Sequence, residues 1–341
     1  MRHIITTSIA LSTILLLLSC HPKNKDQKPL LGNLPAVIML DSLQQTQFVV
    51  TLENPIDTTK NSIYAPAFLY VWDVIKKQLG SAVISDSSSS PAFRFLNQST
   101  SYLNSLKSDE YTTEVAIVDG AITARAFFNK TLPFETKFDT ILNGINFTGK
   151  PVAAFGMPYH DLSLLKSVQI LYYNNDDEFV LKLIPKDSAQ EIILAKGVNN
   201  YQTLKDATSL VNNLINKGKK EQQHSNSGSK YSFMDKDMFA VPVIQFNIET
   251  HYKDLEGQRF VTGDKKNHII GEAYQRTGFI LNEAGAVAES ETFATVDSIT
   301  AEPVPKKMIF NKPFLVIIKR ADQPNPYFVM RVANTELLTR K

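Results

Sequence analysis

The chain has 341 residues, 43% of them hydrophobic and 21% charged, with a formal net charge of +2. This length and composition suit one large or two modest globular domains, and near-neutral charge argues against a nucleic-acid partner. Cys20 is the only cysteine, which excludes an intramolecular disulfide.

Arg2 and His3 precede an apolar core through Ile14-Leu15-Leu16-Leu17-Leu18, followed by Ser19-Cys20. That run is too short for a membrane span and no second one follows it. A lone thiol directly after Leu-Leu-Ser is better explained as a lipid acceptor than as a redox group; the other reading is a plain signal peptide with an incidental cysteine. Residues 1–20 are similar to a bacterial lipoprotein signal ending in a lipobox. The resemblance implies lipid attachment at Cys20 and a folded body outside the cytoplasm, periplasmic or at the cell surface. Residues 21–34 read as a polar tether and 35–341 as a single domain.

Apolar Leu43, Phe48, Val49 and Leu52 suit a helix from Asp41 to Leu52, capped by Asp41 and ended by Asn54-Pro55. A second helix starts at Pro66, carries Phe68, Val71, Trp72, Ile75 and Leu79 in one stripe, and closes at Gly80. That spacing makes Trp72 core. Asp86 to Ser90 is a low-complexity link, with one helix expected around Phe95 to Leu106. Val115 to Thr123 reads as a strand. Val168 to Tyr172 and Glu178 to Lys186 form a core hairpin around Asn174-Asn175-Asp176-Asp177. Leu204 to Ile215 is an amphipathic helix, and Lys217 to Lys236 reads as a solvated loop. Val241 to Thr250 and Ile269 to Leu281 complete the strands before a long arm.

The arm runs from Asn282 to Phe314 and alternates with a period of two from Ala286. One face carries Ala286, Ala288, Ser290, Thr292, Ala294, Val296 and Ser298; the other carries Val287, Glu289, Glu291, Phe293, Thr295 and Asp297. All charges fall on one face, and no Gly or Pro lies between Ala286 and Thr300. Such a segment is able to become a strand with small residues inward.

These residues resemble the serpin family. Glu283-Ala284-Gly285 is similar to its Glu-x-Gly hinge, and Ala286, Ala288, Ser290 and Thr292 match its small inward positions. Phe310-Asn311-Lys312-Pro313-Phe314 with Leu315 to Ile318 is similar to the strand after the loop, and Tyr327 to Asn334 to the last strand. Asn61 to Phe68 is similar to the family's Asn-x-x-x-Ser-Pro-x-Ser. Val241 to Thr250 is similar to its Pro-x-Phe-x-Ile-Glu strand. The fold so implied is α+β, with a large central mixed sheet, smaller sheets, surrounding helices and an exposed reactive-centre loop. Between the second helix and Val115 the interval is too short for the helices and strands a typical serpin places there. Either that edge of the sheet is missing or something else covers it.

The resemblance implies a suicide substrate of a serine or cysteine protease rather than an enzyme, without cofactor or metal, and a monomer. The six histidines show no metal-site spacing, and no Gly-rich phosphate loop or Gly-x-Ser-x-Gly elbow occurs. Counting from Glu283 places the scissile bond at Ile299-Thr300, with Thr300-Ala301 and Ala301-Glu302 behind it. Counting from Phe310 places it near Glu302-Pro303, a bond poorly cleaved before a tertiary amide. These residues suit an elastase- or subtilisin-like pocket. The family's buried set of two Ser, an Asn and a His becomes Ala65, Phe68, Asp119 and Gln275. That departure keeps open a serpin-fold lipoprotein that binds rather than inhibits, and an unrelated α+β lipoprotein stands behind both.

Overall fold

Alternating and β-branched runs dominate the sequence, and most of them become strands. The computed structural model describes residues 34–85, 87, 89–129, 132–159, 161–223, 228–284 and 304–341. The first elements are β1 (Ile38–Met39), β2 (Thr46–Val49), β3 (Asn61–Tyr64), helix α1 (Ala67–Leu79), β4 (Val83–Ile84) and α2 (Pro91–Gln98). Then come β5 (Tyr111–Val118), β6 (Ala121–Asn129), β7 (Asp139–Phe147), β8 (Lys150–Met157), β9 (Val168–Asn175), β10 (Glu178–Leu183) and β11 (Gln190–Lys196). After these lie α3 (Leu204–Gln222), α4 (Gly228–Tyr231), β12 (Met238–Pro242), β13 (Ile244–His251), β14 (Arg259–Thr262) and β15 (Asn267–Leu281). The last strands are β16 (Lys307–Ile309), β17 (Phe314–Arg320) and β18 (Pro326–Val332).

The strands form three mixed sheets, giving the α+β fold that the resemblance implies. The main sheet is built on β15, whose second half pairs antiparallel with β13 and whose first residues pair with β14. On its other side β15 runs parallel to β6, and β5 lies beyond β6. β1 adds to the far edge of β13 and β4 to β14. The second sheet has the order β2-β3-β18-β17-β11-β10-β9 and the third β16-β12-β8-β7.

Helix α1 follows its sequence signals. Pro66 stands at its N-cap position, Gly80 ends it at φ 64°, and Phe68, Val71, Trp72 and Ile75 are each at most 1% exposed. Left-handed backbone at that position is what glycine tolerates without steric cost. The hairpin of β9 and β10 forms as expected, and its side chains join the core.

Three expectations are corrected. Residues Asp41 to Leu52 are not a helix: only Leu40–Ser42 make a 3-10 turn, and Thr46–Val49 is a strand pairing parallel with β3. The four apolar positions fit either period, and the Phe-Val-Val-Thr stretch favours the extended form. The helix expected around Phe95 to Leu106 lies earlier, because Pro91 starts it and the Ser90 hydroxyl accepts from Phe93 N at 3.2 Å. The segment after Lys217 is not a loop at its start, since α3 continues through Lys217-Gly218-Lys219-Lys220 to Gln222. Gly218 permits that continuation: a Cβ there would lie 2.0 Å from the Leu171 carbonyl oxygen on β9.

Candidate functional site

The arm is defined by its two fixed ends. β15 pairs with β13 as far as Leu281↔Ile244, and the chain leaves the sheet there. Glu283 remains held: its carbonyl accepts from Phe138 N at 3.1 Å, and its carboxylate lies 3.7 Å from the Lys137 ammonium. Ala284 N donates to Asn282 Oδ1 at 2.9 Å. The rest of the expected hinge, Gly285, Ala286, Ala288, Ser290 and Thr292, and the expected scissile residues Ile299, Thr300, Ala301 and Glu302 lie outside the described residues, as does Cys20.

The chain returns at Val304, 92% exposed, and is buried again two residues later. There the Lys306 ammonium meets Asp237 Oδ2 at 2.6 Å, while Lys306 N donates to Asp237 Oδ1. Asp237 is only 1% exposed and also accepts from Met234 N, so its charge is fully partnered inside the protein. β16 then pairs parallel with β12, from Met238↔Lys307 to Ala240↔Ile309.

Beside the departing end lies the parallel pair of β6 and β15, paired from Ala121↔Ile269 to Asn129↔Gly278 with one register shift between Ile270 and Glu272. Both strands run toward the end from which the arm departs. A segment folding back from Leu281 is therefore antiparallel to both.

Beneath the middle of this pair the structure brings three of the four expected buried residues together. Gln275 is 0% exposed and stands opposite Ala126 on β6 and Thr250 on β13. Its side-chain carbonyl accepts from Phe68 N at 3.0 Å; its amide donates to the Ala65 carbonyl at 3.3 Å and to Thr277 Oγ1 at 3.0 Å. Ala65 and Phe68 thus take part through their backbones, at the first turn of α1, where N–H groups lack helical partners. One glutamine supplies the hydrogen bonding for which Ala65 and Phe68 have no hydroxyl.

Asp119 does not belong to this set. It is exposed, at φ 50°, followed by Gly120 at φ 80°, and the two form the tight turn joining β5 to β6. Two consecutive positive φ values are what a two-residue hairpin of this kind requires, and Asp-Gly is a strong signal for it. The single strand expected over Val115 to Thr123 is therefore two strands with a turn inside it. A Cβ on Gly120 would stand 2.8 Å from the Asn267 carbonyl oxygen, so the turn is also pressed against the start of β15.

Two parts of the site gave no pattern in the sequence. One is the buried pair Asp237–Lys306, which no spacing relates. The other is a strap from Leu34 to Met39 that crosses the hinge end of the sheet. Leu34 covers Gly278, the Asn247 amide donates to the Pro35 carbonyl at 2.9 Å, and Arg276 Nε donates to Asn247 Oδ1 at 3.0 Å. Among the described residues no group of three His, Cys, Asp or Glu is placed to hold a metal, and no helix is long and apolar enough to cross a membrane.

No protein-family model matches the chain, and no curated protein is significantly similar to it. Several solved structures are similar. Native protease nexin-1 with heparin shares 12% identity over 63% of this chain and 57% of that chain, at TM-score 0.39. Serpin48 of the insect Tenebrio molitor shares 17% over 63% and 56%, at TM-score 0.32. Serpin-12 of Manduca sexta shares 12% over 63% and 56%, at TM-score 0.39. The match spans little more than half the length of each of these chains.

Proposed function

We propose that this protein is a serpin-type protease inhibitor. A protease attacks the arm near residues 299–302, first at the Ile299 carbonyl, and forms an acyl-enzyme as the Thr300 amine departs. The freed arm then enters the main sheet as a strand over residues 286–299 and carries the protease with it before hydrolysis is complete. At about 3.3 Å per residue that run spans roughly 45 Å, enough to cross the domain. Small side chains at Ala286, Ala288, Ser290 and Thr292 lower the steric cost of entering a packed sheet.

The observation that carries this reading is the parallel pair of β6 and β15 beside the arm's point of departure. Inserting a returning strand there exchanges one slanted parallel ladder for two antiparallel ladders, which are more stable per residue. The target is a serine protease with an elastase- or subtilisin-like pocket, met in the cell envelope where lipid at Cys20 holds the body. The test is to cut the arm within residues 299–302 and compare thermal unfolding. Insertion raises the midpoint by roughly 10 °C or more, since a strand adds several kcal/mol. An unchanged midpoint refutes insertion.

A second reading, a non-inhibitory binding module that displays the arm, is favoured by the Gln275 hydrogen bonds. They are complete with β6 and β15 closed, so Gln275 gains no further partner from opening of the sheet.

A further inference from the structure

Strand β5 ends the main sheet, and among the described residues no strand pairs with its outer side. Its ladder with β6 runs without a register break from Tyr111↔Phe128 to Val118↔Ala121. Its sequence, Tyr-Thr-Thr-Glu-Val-Ala-Ile-Val, contains no Pro, Gly, Lys or Arg, the devices that normally blunt an edge against pairing. Helix α1 packs on its inner face, where Tyr70 stacks on Tyr111, but burial falls off toward this edge. On β6, Ile122, Ala124, Ala126 and Phe128 are 0–3% exposed, whereas Tyr111, Thr113, Val115 and Ile117 on β5 are only half-buried. On the opposite face Val118 is 66% exposed.

We infer that this edge pairs with the same edge of a second copy of the chain, antiparallel, about a two-fold axis through Val115. Two copies related in this way keep their core faces on one side, so the main sheets join into one. Glu114 is the only charged residue of the strand and selects the register. With Val115 opposite itself, Glu114 faces Ala116 of the second copy, Thr113 faces Ile117 and Thr112 faces Val118. Every residue from Thr112 to Val118 is then paired and no like charges are opposed. Centring the pair on Glu114 instead sets two carboxylates against each other, which is unfavourable. In the favoured register Val115 meets Val115 and Ile117 covers Thr113, which buries what remains exposed of this layer. The monomer implied by the resemblance gives way here to a weak symmetric dimer, whichever reading of the arm holds.

The test is sedimentation of the form lacking residues 1–20, which contains every described residue, with Ala116→Glu and Ala116→Lys alongside. Ala116 is exposed, so neither change disturbs the core. The unaltered chain forms dimers in a concentration-dependent way. A116E places a second carboxylate against Glu114 twice per dimer and weakens association about tenfold, whereas A116K keeps or strengthens it. In the same cysteine-free background, mild oxidation cross-links Val115→Cys into a covalent dimer but not Ala116→Cys. A chain that stays monomeric to about 100 µM, equal weakening by both charges, or preferential cross-linking of A116C overturns the proposal.

Discussion

The side-chain carbonyl of Gln275 accepts from the backbone N–H of Phe68 at 3.0 Å, fastening the middle of β15 to the first turn of α1. The same amide reaches Ala65 and Thr277, so all three of its hydrogen bonds are made inside the protein. A buried polar group so placed holds the sheet on the helix and fixes where β15 lies.

Gln275→Leu keeps the volume and removes the three bonds, leaving the Phe68 N–H without a partner. A destabilisation of about 2–3 kcal/mol is expected in urea unfolding. A change below about 0.5 kcal/mol would show that the contact does not matter.

Much of this was legible in the sequence. The α1 stripe and the β9–β10 hairpin are legible because each has one dominant period and a capping or turn residue at its end, whereas the strands beside the arm are legible through their likeness to serpin motifs. Residues Asp41 to Leu52 misled because apolar residues at Leu43, Phe48, Val49 and Leu52 fit a helix, while the parallel partner that makes the segment a strand lies at Asn61 to Tyr64. Asp119 stands where the family has a buried Asn, but Asp119-Gly120 is a turn signal, and the turn prevails. Gln275 is legible in the sequence only as a position, because its contacts run to backbone atoms of Ala65 and Phe68 and to the Thr277 hydroxyl, which no side-chain pattern reveals.

Lys306 and Asp237 fix the returning end of the arm inside the protein. Lys306→Ala leaves a buried carboxylate with two backbone donors and no cation. The expected loss is about 3 kcal/mol. Denaturant unfolding measures it, and a variant as stable as the unaltered chain would contradict the burial of this pair.

Gly278 and Leu34 form a contact that a double-mutant cycle resolves. A Cβ at Gly278 would stand 2.5 Å from Leu34 Cδ1, the far end of a flexible side chain. Gly278→Ala should cost about 1 kcal/mol by lifting the strap, and less when Leu34→Ala is already present. Strict additivity would mean that the strap does not rest on β15.

Asp177 sets an acid-sensitive contribution. Lys312 and Lys196, whose ammonium groups lie 2.8 and 2.9 Å from its carboxylate, hold that carboxyl below its ordinary value near 3.8. A carboxyl held low in the folded chain adds stability above its unfolded value and loses it as pH falls through the folded value. Its side chain is 58% exposed, so the contribution is at most about 1 kcal/mol. Asp177→Asn should lower stability by that amount at pH 7, and the two proteins should converge as pH falls through the folded value. A difference that persists unchanged at low pH would assign it to something other than the charge.

The most direct test of the inhibitor reading is to mix the form lacking residues 1–20 with elastase- and subtilisin-type proteases and resolve the products on a denaturing gel. A band at the summed mass, with a released carboxy-terminal fragment beginning at Thr300, Ala301 or Glu302, is the predicted result. Clean cleavage of the arm with the protease left fully active would contradict it.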